Sequence, residues 1–440
     1  MTTFNVARGD LSFSLGADLR VRQEIYQNVP GLPGGGLLLN SPRSKLKNHI
    51  RIRPDIWGEL KFAEKWRLYS RLTDEFRYYP VGSSRSSVFP DEVVVDNLFL
   101  EGLGLWDGAI DVRVGRQNLY GYLGLDHIFV DGTPGDGSRT TYTDMANLTW
   151  HVDEKSTVDV FALFNADRNP LRFGDHRSRS KRLAGLGGTD DEMNDGGFGV
   201  VWGVKDARLD YQLFAVEKFT SGFRRGGEKH PNTYRGLLGF KLVPHVTENF
   251  DLQFEGMQET GRNGADDTLS AWSAYVGGEW RDRAKTTWQP FVRVGLHYMS
   301  GDKDAAREDG GHHAWDPMWS RGVNDSEIFL YGTHYGVAWW SNQIFLNTSG
   351  GVLIGPHHAV TAASGPLFAA VKDDMGGGDG AFKGLLSHLR YDFPIWTQAV
   401  SSNRSLQIFG HIYAELFNPG DYFVTDKPAW FLRWQVEFRF

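Results

Sequence analysis

The chain has 440 residues, with 47 lysines and arginines against 54 aspartates and glutamates, a net charge of −7 and no cysteine. This excludes disulfide frameworks, thiol catalysis and cysteine-zinc sites, and the missing basic excess excludes a general nucleic-acid footprint. With 29 Phe, 16 Tyr and 15 Trp it is too aromatic for a disordered chain, and no run approaches the ~20 apolar residues of a membrane helix.

The ordering principle is an alternation of apolar and polar residues with period two, which is the signature of strands exposed differently on two faces. It predicts strands at 11–25, 46–62, 65–78, 92–106, 109–118, 139–151, 156–166, 195–205, 207–220, 233–243, 248–260, 269–281, 286–300, 339–354, 357–372, 381–393, 405–417 and 429–440. In the second, Ile50, Ile52, Ile56, Leu60 and Phe62 oppose His49, Arg51, Arg53, Asp55, Glu59 and Lys61. In the third, Leu68, Leu72, Phe76 and Tyr78 oppose Arg67, Arg71, Glu75 and Arg77. The last shows Trp430, Leu432, Trp434, Val436, Phe438 and Phe440 against Phe431, Arg433, Gln435, Glu437 and Arg439. About 18 strands of this length exceed the five or six residues usual in globular sheets and suit tilted strands crossing a bilayer.

Connections alternate in length. Short ones at 63–64, 107–108, 152–155, 206, 244–247, 282–285 and 355–356 are interleaved with long ones rich in Gly, Asp and Arg. The segment 394–404 is expected to be a periplasmic turn, and 318–338 to belong to a long loop. Tight turns at one end and long loops at the other define an up-and-down transmembrane barrel with both termini on the short-turn, periplasmic side. Trp66, Trp106, Trp150, Trp280, Trp288 and Trp396 fall beside short turns, as an aromatic girdle at one membrane interface requires. A bilayer core supplies no water to unpaired backbone groups, so a spanning sheet must close. Its apolar face then meets lipid, and so wide a barrel encloses an aqueous interior. The expectation is one all-β barrel domain over residues 1–440 in the outer membrane. Met1-Thr2-Thr3 leads directly into strand-like sequence, so an export leader is expected to have been removed.

Residues 97–120 contain Val-Gly-Arg-Gln at 114–117 within a predicted hairpin. With Ile52-Arg53-Pro54 and Trp57, Leu416-Phe417-Asn418-Pro419-Gly420-Asp421 and the terminal Phe440, the chain resembles the bacterial alginate-export family of outer-membrane proteins. That resemblance implies an 18-stranded monomeric barrel conducting a solute passively, with anionic polysaccharide the substrate that names the family. It also implies a constriction lined by arginines, one of which falls on Arg53. The sequence departs from the pattern at Asp96 and Asn118, where basic residues would stand.

The polar faces carry the functional signal. Arg51, Arg53, Arg67, Arg71, Arg77 and Arg113 fall on the interior register, with Glu101 among the acids beside them. Together with Arg116 they form the candidate pore-lining and solute-binding set. Rings of charge set selectivity in a narrow lumen, and guanidinium binds carboxylate bidentately. The competing reading is a structural network in which the arginines pair with Asp55, Glu59, Glu75, Glu101 and Asp111. Strict alternation turns Arg116 outward at the external rim, where lipopolysaccharide phosphates lie, whereas a bulge turns it inward. Loops 119–138, 167–194 and 301–338 are expected to fold over the mouth. The Asp/Gly loops around Asp190, Asp191 and Asp195 and around Asp373, Asp374 and Asp379 are weak calcium candidates, since Met193 interrupts the first. His312-His313 and His357-His358 are adjacent pairs that point to opposite faces on a strand, so metal is not expected, nor is any other cofactor. Expected partners are outer-membrane lipid, lipopolysaccharide and an anionic or polar saccharide. The alternatives are an outer-membrane barrel enzyme and a secreted carbohydrate-binding β-protein.

Overall fold

A computed structural model describes residues 4–8, 10–28, 46–80, 93–117, 142–166, 171–173, 194–225, 228–264, 267–284, 287–303, 311–316, 318–319, 326–328, 341–355, 358–372, 377–401 and 404–439. Eighteen long strands form one closed antiparallel barrel. They are β1 (Leu11–Gln27), β2 (Lys47–Phe62), β3 (Trp66–Asp74, resuming as Phe76–Tyr78), β4 (Val93–Gly104), β5 (Ile110–Gln117) and β6 (Thr143–His151). Then come β7 (Ser156–Asn165), β8 (Asp195–Val204), β9 (Leu209–Thr220), β10 (Thr233–Thr247), β11 (Phe250–Asn263) and β12 (Asp267–Arg281). The circle is completed by β13 (Trp288–Met299), β14 (Gln343–Ile354), β15 (His358–Phe368), β16 (Phe382–Ser401), β17 (Arg404–Pro419) and β18 (Ala429–Arg439).

Each strand pairs with its sequence neighbour, and β18 returns to β1 in a register running from Asp18 opposite Arg439 to Gln27 opposite Trp430. A short strand, Phe4–Arg8, pairs with Leu11–Leu15 and occupies the edge of β1 below the point where β18 ends. Closure therefore leaves no open seam. The short turns have local causes. Ala63 and Glu64 both adopt positive φ (49° and 57°), the pairing a two-residue hairpin needs. Asp153 accepts from the backbone N–H groups of Lys155 and Ser156, both at 2.8 Å.

Large apolar residues crowd the outward register: Leu98 and Leu100, Val160 and Phe164, Phe198, Val200 and Trp202, Leu238, Val292 and Val294, Leu432 and Trp434 are all exposed. In water such a surface would be an aggregation patch; in hydrocarbon it is the solvated face. Trp106, Trp150, Trp280, Trp288 and Trp396 are likewise exposed at the short-turn end.

Two strand expectations need correction. The predicted turn at 394–404 is mostly strand, because β16 continues to Ser401 and β17 begins at Arg404, with register shifts after Pro394 and Ala399. Pro394 has no N–H to give the ladder, and the two shifts absorb the irregularity. The strand expected at 65–78 is interrupted at Glu75, next to where Pro54 of β2 faces it without a donor.

Candidate functional site

Because side chains alternate across a strand, the burial pattern identifies the interior face directly. On β1 to β5 the interior positions include Arg20, Arg22, Glu24, His49, Arg51, Arg53, Asp55, Arg67, Arg71, Arg77, Glu101 and Arg113. They form a column running the length of the barrel wall.

At its external end Glu24 meets Arg22 (2.7 Å), His49 (2.9 Å) and Arg51 (3.5 Å). Glu75 joins Arg51 and, at 3.1 Å, Arg20. Arg77 stands opposite Arg51 in the next strand. In the middle, Arg53 reaches Asp55 (3.3 Å) and Asp96 (3.8 Å), while Arg71 Nε lies 2.9 and 3.1 Å from the two Asp96 oxygens. Toward the short turns, Arg67 bridges Glu59 (3.2 Å) and Glu101 (2.7 Å), and Arg113 Nε donates to Glu101 at 2.8 Å.

Asp96 reaches the interior through a β-bulge. Arg71 pairs with Asn97 and Leu72 with Val95, leaving Asp96 as the extra residue. The bulge adds a carboxylate to a wall whose alternation would have aimed it elsewhere.

The column is layered. The Asp96, Glu101 and Glu59 side chains are 0%, 5% and 16% exposed, whereas those of Arg71, Arg67 and Arg113 are 24%, 30% and 29% exposed. Carboxylates lie against the wall and guanidiniums cover them. Arg20, Arg22 and Arg51 are buried and hold the external end together.

Arg116 departs from the other seven candidates. It lies opposite Leu98 and Asp144, on the outward register, yet only 4% of it is exposed. Gly115 precedes it at φ +129°, where a Cβ would stand 2.2 Å from the Leu98 carbonyl oxygen, so only glycine fits. Arg116 donates to both Asp144 oxygens (2.8 and 2.9 Å) and to the Val95 carbonyl (3.2 Å), and stacks on Tyr142 at 4.5 Å. It ties β4, β5 and β6 together at the rim.

The opposite wall differs. Met145, Phe161, Leu163, Val201, Phe214, Val216, Leu237, Met257, Ala271 and Met299 form an apolar cluster on the interior of β6 to β13, among buried polar groups such as Asn147, Lys218, Glu255, Glu259 and His297, and Trp315, Met318 and Trp319 from the connection between β13 and β14 pack on it. Trp319 sits where a Cβ on Gly197 would be 2.6 Å from its ring. Asp316 pairs with Arg235 at 3.2 Å and donates its N–H to Glu259 at 3.1 Å; Lys218 donates to the Met318 carbonyl. Burial pushes the Asp316 carboxyl upward, but Arg235 and Lys218 outweigh it and hold it below the ordinary range. A second piece of the same connection meets the far wall. Glu415 of β17 accepts from Ser326 Oγ and from the N–H groups of Glu327 (2.8 Å) and Ile328 (3.0 Å). Arg433 of β18 holds Glu327 at 2.5 Å and His411 at 2.8 Å. One connection is thus anchored inside the barrel on two separate walls.

Sequence reasoning missed Arg20, Arg22, Glu24, Glu415 and Arg433 as site residues, although Arg20, Arg22 and Glu24 carry the same period-two spacing as Arg51 and Arg53. Asp195 is buried and accepts from Asn165 at 2.8 Å; no group of three or more His, Asp or Glu residues able to hold a metal occurs among the described residues. Asn118, Asp190, Asp191, Met193, His357, Asp373, Asp374, Phe440, all of loop 119–138 and most of loop 167–194 lie outside the described residues.

Solved structures with this fold include OccAB2 of Acinetobacter baumannii (7% identity, TM-score 0.55, covering 97% of this chain and 98% of that one). Two from Pseudomonas aeruginosa are also similar. OpdK with vanillate has 9% identity and TM-score 0.53, covering 97% of this chain and 98% of that one. OccK2 (OpdF) in complex with glucuronate has 10% identity and TM-score 0.52, covering 97% of each chain. No curated protein matches the chain. The alginate export family matches residues 13–338. With a closed 18-stranded barrel, an apolar outer band and a charged interior in place, the chain belongs to the alginate export family, as an outer-membrane β-barrel channel of the bacterial envelope.

Proposed function

We propose that the barrel conducts an anionic or polar, carbohydrate-like solute passively across the outer membrane, acting as a single chain without catalysis. Arg53, Arg67, Arg71 and Arg113 would meet the solute, while Arg51, Arg77 and Glu101 hold the wall behind them. Arg116 would serve the rim, beside lipid and lipopolysaccharide. The observation that carries this reading is the layering of the column. Pairing alone would give a neutral wall, but burying the carboxylates beneath half-buried guanidiniums presents the positive ends to the lumen. A carboxylate or hydroxyl entering that layer finds planar N–H donors already held in position. The ligands named for the similar barrels, glucuronate and vanillate, are both carboxylates.

The test is the reversal potential of the purified channel in a planar bilayer under gradients of potassium chloride and potassium glucuronate. Under the glucuronate gradient the native channel is expected to favour the anion more than it does under chloride, and Arg67→Gln with Arg113→Gln to move the glucuronate reversal potential toward zero. An unchanged potential in that variant refutes arginine-based selection.

A further inference from the structure

Across the lumen from the arginine column, the interior wall of β12 to β16 recedes. Gly295, Ser349 and Ala363 are small, and between them opens a recess of about 180 Å³. Six polar side chains from four adjacent strands converge on it: Arg293 and His297 from β13, Asn347 and Ser349 from β14, Thr361 from β15 and His388 from β16. Arg293 lies directly opposite Ser349, and Ala363 opposite both Ser349 and His388, so the lining forms a continuous patch near mid-height. Tyr275, whose ring meets His297 edge-on at 4.6 Å, and Phe291 supply apolar walls.

The lining chemistry selects among ligand classes. Hydroxyl, amide and imidazole groups both donate and accept, and the one full positive charge is held by Glu279, 2.9 Å from Arg293 Nε. A small inorganic anion calls for donors in excess, and a divalent cation calls for converging carboxylates; neither describes this set. Ring hydroxyls, which donate and accept in turn, match it, and the aromatic walls suit the C–H face of a sugar. The volume lies below the roughly 300–1,000 Å³ of drug-sized sites, which favours a single ring over an oligomer.

We infer that this recess is a binding subsite for one pyranose-sized ring, neutral or uronate. Its donors and acceptors read the ring hydroxyls. The inference rests on the transport reading only for the identity of the traffic, since a neutral sugar should bind the recess without engaging the arginines.

Glucose and glucuronate serve as probes of current blockade in single channels. Both are expected to produce resolved blockades in the native channel. Ser349→Leu fills the recess and should shorten or suppress blockade by either sugar at least about tenfold, the equivalent of roughly one net hydrogen bond at its upper value. Thr361→Val keeps shape and removes one hydroxyl, and gives a second reading should the larger side chain impair insertion. Absence of glucose blockade in the native channel, or blockades undiminished in both variants, overturns the inference. The two readings fail separately. Failure of the arginine reading leaves the reversal potential unmoved by the Arg67/Arg113 changes, whereas failure of the recess leaves blockade indifferent to Ser349 and Thr361.

Discussion

Arg71→Gln isolates the energetics of the layered column. Asp96 is the extra residue of a bulge, its side chain is 0% exposed, and Arg71 holds both its oxygens. Among the described residues, the other cation near it is Arg53 at 3.8 Å. Removing one partner of a buried ion pair costs about 3–5 kcal/mol, chiefly because the other charge stays desolvated. Since a quarter of Arg71 is exposed and Arg53 persists, the expected loss lies at or just below the bottom of that range, about 2–3 kcal/mol. Asp96→Asn placed on top should restore much of it, because two neutral amides occupy the same site, giving a coupling energy of roughly 2 kcal/mol. The assay is urea unfolding of the barrel in phospholipid vesicles, read by tryptophan fluorescence, for the native chain, both single variants and the double. A loss under about 1 kcal/mol for Arg71→Gln, or strict additivity, would refute a dry carboxylate beneath the guanidinium layer.

Three further outcomes are expected. Glu415→Ala removes the acceptor for Ser326, Glu327 and Ile328, hydrogen bonds worth about 0.5–1.5 kcal/mol each, so open-channel noise should rise; traces indistinguishable from native would refute that anchorage. Asp316 has its pKa held below the ordinary 3.8, so its pairing with Arg235 contributes fully above about that pH and is lost as pH falls through the depressed value. Channel noise should therefore rise on acidification below pH 3.8, and Asp316→Asn should abolish that step; an identical pH profile in the variant counts against it. Leu238 points outward from β10, 67% exposed, and Leu238→Arg should cost about 2–4 kcal/mol by vesicle unfolding if that face meets hydrocarbon. A loss within error of zero would contradict that assignment.

The barrel itself was legible because one physical rule, a lipid-facing side opposite a polar side, repeats along much of the chain. It placed Arg51, Arg53, Arg67, Arg71, Arg77 and Arg113 on the interior face without any knowledge of their neighbours. The bulge that brings Asp96 inward was not legible, since an extra residue looks like ordinary sequence until the partner strand is known. Arg116 was ambiguous for the same reason, and the strand pairing resolves it outward. The apolar cluster inside β6 to β13 was hidden more thoroughly. In Val160-Phe161-Ala162-Leu163-Phe164 both faces are apolar, and alternation carries no information there. The clue lay elsewhere, in Trp315, Met318 and Trp319 following the polar stretch 301–313, which need an apolar surface to cover.

The layering of the column also governs how far its influence extends. A sheet of positive groups backed closely by negative ones is a dipole layer, and its field falls off faster than that of free charges. Counterions at about 0.1 M, with a Debye length near 10 Å, shorten it further. A small ion travelling along the barrel axis passes largely unread, whereas a bulky anion that must brush the wall is read at contact. Discrimination by this channel should therefore sharpen with the girth of the solute, so that one wall tolerates the leakage of salt while choosing among larger molecules.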